Sequence, residues 1–232
     1  VLRPALRDHE VLVLRDQALR PDRQAALAAC LAPPAMGRPS PPARAPHVLV
    51  GEAEEFDGRW RADLAWSPEP GRVVVAVQDD ARDGRVTTEF ASQVAAHARL
   101  APWLRDRIEF LDVEHAAPQD GGAGLPGAVH PLVSVDPETG RRALLLGDAA
   151  QRVVGLAHAD SDDLLHRLQS AATHPAVVLR HGWREGDVVI WDSLAVQHRS
   201  TGPAAGRLRR AVLCGPPPPG PREVTMPWVS AG

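Results

Sequence analysis

The chain has 232 residues, with 26 basic and 29 acidic side chains and a formal charge of −3. Every basic residue is arginine, and lysine, asparagine and tyrosine are absent. This excludes a lysine Schiff base, a phosphate-loop lysine, a catalytic tyrosine and N-glycosylation.

Hydrophobic residues make up 44% and charged residues 24%, the balance of a soluble globular protein. Scattered arginines and a charge near zero argue against a nucleic-acid surface. No apolar run reaches about 18 residues, so no membrane helix is expected. No signal peptide is expected at the N-terminus, and Cys30 and Cys214 fit a reducing compartment, so a cytoplasmic location is expected. A single disulfide between them stays open. Abundant Ala, Gly, Pro and Arg suggest a GC-rich, bacterial coding sequence. An arginine here carries weight only where its position is special.

Residues 11–15 (VLVLR) predict a short buried strand, and RPDRQAALAACLA predicts a helix over 21–32 with Pro21 near its start. Residues 33–46 hold six prolines and predict a loop. Val48–Val50 and 72–78 (RVVVAVQ) predict strands. Thr87 or Thr88 is expected to cap a helix over 89–100, followed by a short helix at 102–109. Residues 116–128 predict a loop, and PETG (137–140) a hairpin turn between VSV and ALLL. Ser161, followed by Asp162 and Asp163, is expected to cap the next helix. Strands are expected at 176–181, 187–191 and 208–214, then an extended Pro-rich arm over 216–232. Many short strands with few helices predict a β-sandwich or jelly roll with helices outside it. No domain boundary is visible.

No HExxH, CxxC or GxSxG occurs, and no GxGxxG follows a strand. His9, His97, His166 and His174 lie in or beside predicted helices, while His115, His158 and His181 have no partner at a metal-ligand spacing. The informative stretch is EGDVVIWDSLAVQHRS (185–200), a strand leading to His198, followed by the arginine-rich GRLRRAVLCG (206–215). A histidine beside strand-borne arginines suits an anionic ligand, because guanidinium pairs with carboxylate through two hydrogen bonds.

Six segments in order resemble the TauD/TfdA family of iron(II)- and 2-oxoglutarate-dependent oxygenases, over about residues 9–215. They are HEVLVLRDQALRPDRQAAL, RWRADLAW, RVTTEFASQVAAHARLAPWLR, HPLVSVDPETGRRALLL, QRVVGL and GDVVIWDSLAVQH. The resemblance implies a mainly β, double-stranded β-helix (jelly roll) in one domain over 1–215, with 216–232 as a tail. It also implies an iron(II) and 2-oxoglutarate site that oxidises a small molecule. Such a site needs two histidines and one carboxylate on one face of the metal. Asp63 matches the carboxylate, His198 the distal histidine, and Thr88 the threonine that helps hold 2-oxoglutarate. The family usually has two arginines four apart on the last strand, one holding the 2-oxoglutarate carboxylate and the other often contacting substrate; Arg210 matches the later one and is expected to bind cofactor. The earlier position falls on Gly206 without a gap or on Arg207 with a shift, which would bring Arg207 into the cofactor-binding role. Arg207 and Arg210 differ by three and share a face only if a bulge intervenes.

The first histidine position of the motif is Arg61. A guanidinium stays charged and has no lone pair for a metal. On a strand, Arg61 and Asp63 would share a face, so Arg61 is expected where the metal would sit, neutralising Asp63. The nearest upstream histidine, His47, belongs by order to another strand. Two readings follow. One is an oxidoreductase with a modified iron site using Asp63 and His198, its expected substrate a small, anionic molecule of secondary metabolism. The other is a metal-independent enzyme or anion-binding pseudo-oxygenase lined by Arg61, His198 and Arg210.

Overall fold

The computed structural model describes residues 1–31, 47–52, 58–80, 86–117, 127–201 and 207–224. The expected loops at 33–46 and over most of 116–128 lie outside these residues. The first half of the chain gives α1 (Leu2–His9), β1 (Val11–Leu14), α2 (Pro21–Cys30), β2 (His47–Glu52), β3 (Gly71–Asp80), β4 (Thr87–Ser92), α3 (Gln93–Arg99) and α4 (Pro102–Ile108). Then come β5 (Asp112–His115), β6 (Ala128–Pro131), β7 (Val133–Val135), β8 (Arg142–Leu144), β9 (Ala150–Val153) and α5 (His158–Ala172). The last are β10 (Val178–Gly182), β11 (Val188–Asp192), β12 (Val196–Thr201), β13 (Arg207–Cys214) and α6 (Pro221–Val224).

The strands form an antiparallel jelly roll. A five-stranded sheet in the order β1-β11-β3-β13-β2 faces a three-stranded sheet in the order β10-β4-β12. Period-two alternation divides the larger sheet's side chains between two cores. Val73, Val75, Val77, Val188, Ile190, Ala211 and Leu213 pack outward with Leu6, Ala28 and Leu31 of the helical layer. Val74, Ala76, Val189, Trp191 and Leu208 point inward and meet Val86, Phe90, Trp183 and Val196. A third core lies under α3, α4 and α5 against β5, β7, β8 and β9.

Three local expectations fail for physical reasons. Thr87 and Thr88 cap no helix: they begin β4, which is paired on both sides by β10 and β12. The helix starts at Gln93, where the Ser92 hydroxyl accepts the Ala95 amide at 3.0 Å. Ser161 does not start α5, which begins at His158. It is buried one turn inside, and its hydroxyl accepts the Val153 amide at 2.8 Å, tying the helix to β9. The Pro-rich tail is packed as far as it is described. The Pro219 carbonyl accepts the Val135 amide at 2.9 Å, and Arg222 donates to the Phe110 carbonyl. Both cysteines are free thiols, Cys30 exposed and Cys214 buried.

Candidate functional site

Asp63 lies in a turn between the sheets. Arg61 makes one isolated antiparallel bridge to His198 of β12, its amide donating to the His198 carbonyl (2.8 Å) and the reverse at 2.9 Å. The chain then turns, with Leu64 at φ 54°, and closes on β3 where the Gly71 amide donates to the Asp63 carbonyl at 2.9 Å. A methyl group at Gly71 would stand 2.8 Å from that carbonyl oxygen and 2.9 Å from the Asp63 Cβ, so the close approach requires glycine.

The Asp63 carboxylate is buried, and several donors converge on it. Oδ1 accepts from Arg210 Nη2. Oδ2 accepts from the Trp191 indole N–H at 2.9 Å and from the Ser193 hydroxyl at 2.8 Å. The same hydroxyl accepts the Asp63 amide at 3.0 Å, so Ser193 fixes both backbone and side chain. His198 Nδ1 lies 3.5 Å from Oδ2, and its ring stacks obliquely on Trp191 with centroids 5.1 Å apart. One cation and two neutral donors offset the cost of burying this charge.

The expected strand pairing of Arg61 with Asp63 is thus corrected. Asp63 sits in a turn, so strand parity does not apply. The Arg61 guanidinium pairs with Asp148 (Nε to Oδ2, 3.3 Å), and the cation on Asp63 is Arg210. The strand β13 is interior, not an edge, and its two faces separate the arginines. Arg209 turns to the helical layer, pairing with Asp79 and donating to Gln24 Oε1 at 2.6 Å. Arg210 faces inward, its guanidinium 5.5 Å from the Trp191 ring centre. A register shift does fall between Arg207 and Leu208, the irregularity that would change the parity of Arg207. The register places His47 opposite Cys214, while Arg210 pairs with Gly51, so His47 stands at the far end of β2.

Thr88 is buried on the inner face of β4, and its hydroxyl accepts the Trp183 indole N–H at 2.8 Å. The structure therefore brings Asp63, His198 and Arg210 together and sets Arg61 beside them through its backbone. Three contributors escaped the sequence reading. They are Trp191, Ser193 and Asp148.

A facial triad needs three lone-pair donors with room for a metal. Here Asp63 and His198 are the two candidates, and the carboxylate of Asp63 is already held by Arg210, Trp191 and Ser193. Among the described residues no group of three or more His, Cys, Asp or Glu side chains could hold a metal ion. The residues present do not fit a facial-triad iron.

A family model described as "Taurine catabolism dioxygenase TauD, TfdA family" matches residues 1–215. The chain is 32% identical over 160 residues to the (S)-phenoxypropionate/alpha-ketoglutarate-dioxygenase of Sphingobium herbicidovorans, covering 61% of this chain and 56% of that one. It is 29% identical over 196 residues to pentalenolactone F synthase of Streptomyces arenae, covering 72% of this chain and 64% of that one. A taurine dioxygenase from Burkholderia xenovorans superposes with a TM-score of 0.78 at 26% identity, over 95% of this chain and 82% of that one. The chain spans just over half to about two thirds of the length of these curated relatives.

Proposed function

Because this chain belongs to the TauD/TfdA family, we propose that residues 1–215 form one small-molecule-binding domain in which the family's iron site has become a metal-independent polar pocket. The observation that carries this reading is the pair of ion pairs at the triad: Arg61 with Asp148, and Arg210 with Asp63. Arg210 holds a permanent cation against the carboxylate that a metal would need, and Arg61 offers no lone pair in place of the first histidine. The polar groups that would line it are His198, Arg210 and Arg61, with Thr88 on β4. These groups suit a small carboxylate, and arginine is the side chain that grips one by paired hydrogen bonds. His198 is the imidazole available for proton transfer.

The reading that keeps oxygenase chemistry rests on the 3.5 Å approach of His198 to Asp63 and on relatives named as alpha-ketoglutarate-dependent dioxygenases. In that case Asp63 and His198 would hold iron(II) and 2-oxoglutarate would complete the site.

Anaerobic titration with iron(II) and 2-oxoglutarate separates the two. The metal-independent pocket gives no visible charge-transfer band and no oxygen-dependent consumption of 2-oxoglutarate. Calorimetry without metal shows binding of 2-oxoglutarate or N-oxalylglycine. A strong band in the unmodified protein overturns the metal-independent reading. Absence of metal-free dicarboxylate binding overturns its carboxylate ligand.

A further inference from the structure

A cleft on the outer face of the five-stranded sheet lies apart from the Asp63 site. It encloses about 110 Å³ between α1, the turn joining β7 to β8 and the turn joining β11 to β12. Part of its lining is apolar: Leu6 and Val73 of the outer core, with Val94 of α3 and Leu194. The rest is charged, and Arg72, Asp136 and Asp192 line it together. Asp63, His198 and Arg210 do not line it.

The charges are balanced. Arg3 and Arg7 reach the cleft and both pair with Glu138, while Arg141 pairs with Glu10 at 2.6 Å. Arg72 Nη1 donates to the Pro216 carbonyl at 3.1 Å, and the guanidinium feels the charges of Asp192 and Asp136. With Glu138, Glu10, Asp136 and Asp192, four carboxylates stand against four guanidiniums. A cleft of mixed sign and no net charge favours a ligand that carries both signs. Burial lowers Arg72 and raises Asp192 from their ordinary values, so each gains from an opposite charge brought by a ligand.

We propose that this cleft is a second binding site, taking a small α-amino acid with an aliphatic side chain. Arg72 receives the carboxylate through paired hydrogen bonds. The ammonium is set against Asp192 and Asp136, and the side chain lies on Leu6, Val73 and Leu194. A closed void of about 150 Å³ holds benzene. This cleft is somewhat smaller but opens to solvent, so an amino acid of valine's size fits. The site backs on to the Asp63 pocket. Asp192 stands between Trp191 and Ser193, which both donate to Asp63 Oδ2. Asp192 Oδ1 accepts the Leu194 amide at 2.9 Å, and the Ser193 amide donates to the Arg72 carbonyl at 3.0 Å. A ligand held by Arg72 and Asp192 therefore braces the segment that positions Asp63.

The test is calorimetric titration of the full chain with L-valine, 3-methylbutanoate (no ammonium) and L-valinamide (no carboxylate). One equivalent of valine binds. Each analogue binds at least about tenfold more weakly, as loss of a charge-assisted hydrogen bond requires. Arg72→Gln weakens valine binding by the same factor. A wild-type protein that binds no valine overturns the site. So does equal binding of either analogue, or unimpaired binding by folded R72Q. Methyl NMR of the unmodified protein fixes the location: valine shifts the Leu6, Val94 and Leu194 methyl signals. Unmoved methyls overturn the proposal. That measurement needs no variant, so it decides the matter even if R72Q does not fold.

Discussion

Arg61 and His198 are joined backbone to backbone by two hydrogen bonds of 2.8 and 2.9 Å, while the Arg61 side chain leaves to pair with Asp148. The position that resembles the family's first histidine is thus fixed by backbone pairing to His198, and its side chain goes to Asp148.

Arg61→His is therefore expected to strengthen iron(II) binding at least about tenfold, equivalent to about 1.4 kcal/mol. The Arg61–Asp148 pair is partly exposed, at 21% and 30%, so its loss costs at most about 1 kcal/mol. Anaerobic iron(II) titration checks this. Unchanged affinity would show that Arg210 on Asp63 alone is enough to close the site.

Asp63→Asn separates an ion-pair role from a ligand role. In a metal-free site Asp63 is an anionic partner of Arg210, and the substitution replaces that charge by an uncharged amide in the interior. Breaking a buried pair costs about 3–5 kcal/mol, and the 24% exposure of Arg210 puts this case at or below the lower end. Urea unfolding of metal-free protein measures it. A neutral or stabilising change would mean that Asp63 is held in waiting for a cation.

Thr88→Val keeps the shape of the side chain and removes the acceptor of the Trp183 indole N–H, which is then buried without a partner. The expected loss is about 1–3 kcal/mol in chemical unfolding, without any ligand present. If stability is unchanged and only dicarboxylate binding falls, Thr88 serves the ligand and not the core.

The pH dependence of stability follows from His115. Unfolded, it takes a proton near its ordinary value of 6.5, and folded only near about 3. Between these values the unfolded chain binds more protons, so stability falls as pH drops through the window and is unaffected above it. The slope from this group is about 1.4 kcal/mol per pH unit. His115→Gln should flatten the wild-type slope in urea midpoints between about pH 6 and pH 4 by that amount. Equal slopes in the two proteins would refute the assignment to His115.

Much of the fold was legible because it depends on local pattern. The contiguous β-branched runs of β3 and β11 announce themselves, and Pro21 marks the start of α2. The strand β4 was misread because TTEFAS has polar caps and helix-compatible neighbours. Only pairing with β10 and β12 makes it a strand. Likewise Ser161 has the composition of a cap, but its hydroxyl is claimed by the Val153 amide from another element.

By itself the sequence determined the family and the jelly roll, and it set an arginine where the motif resembles the family's first histidine, since ordered motifs and residue chemistry are one-dimensional facts. Which cation meets Asp63 was decided only by tertiary structure. Strand parity pointed to Arg61, two residues away. The turn at Leu64 cancels that parity, and β13 brings Arg210 from 147 residues along the chain to take the place instead. The meeting of Arg72 with Asp192 is of the same kind. Neither residue carries a spacing signal, and only the register of β11 on β3, with Asp192 opposite Val73, sets them in one cleft.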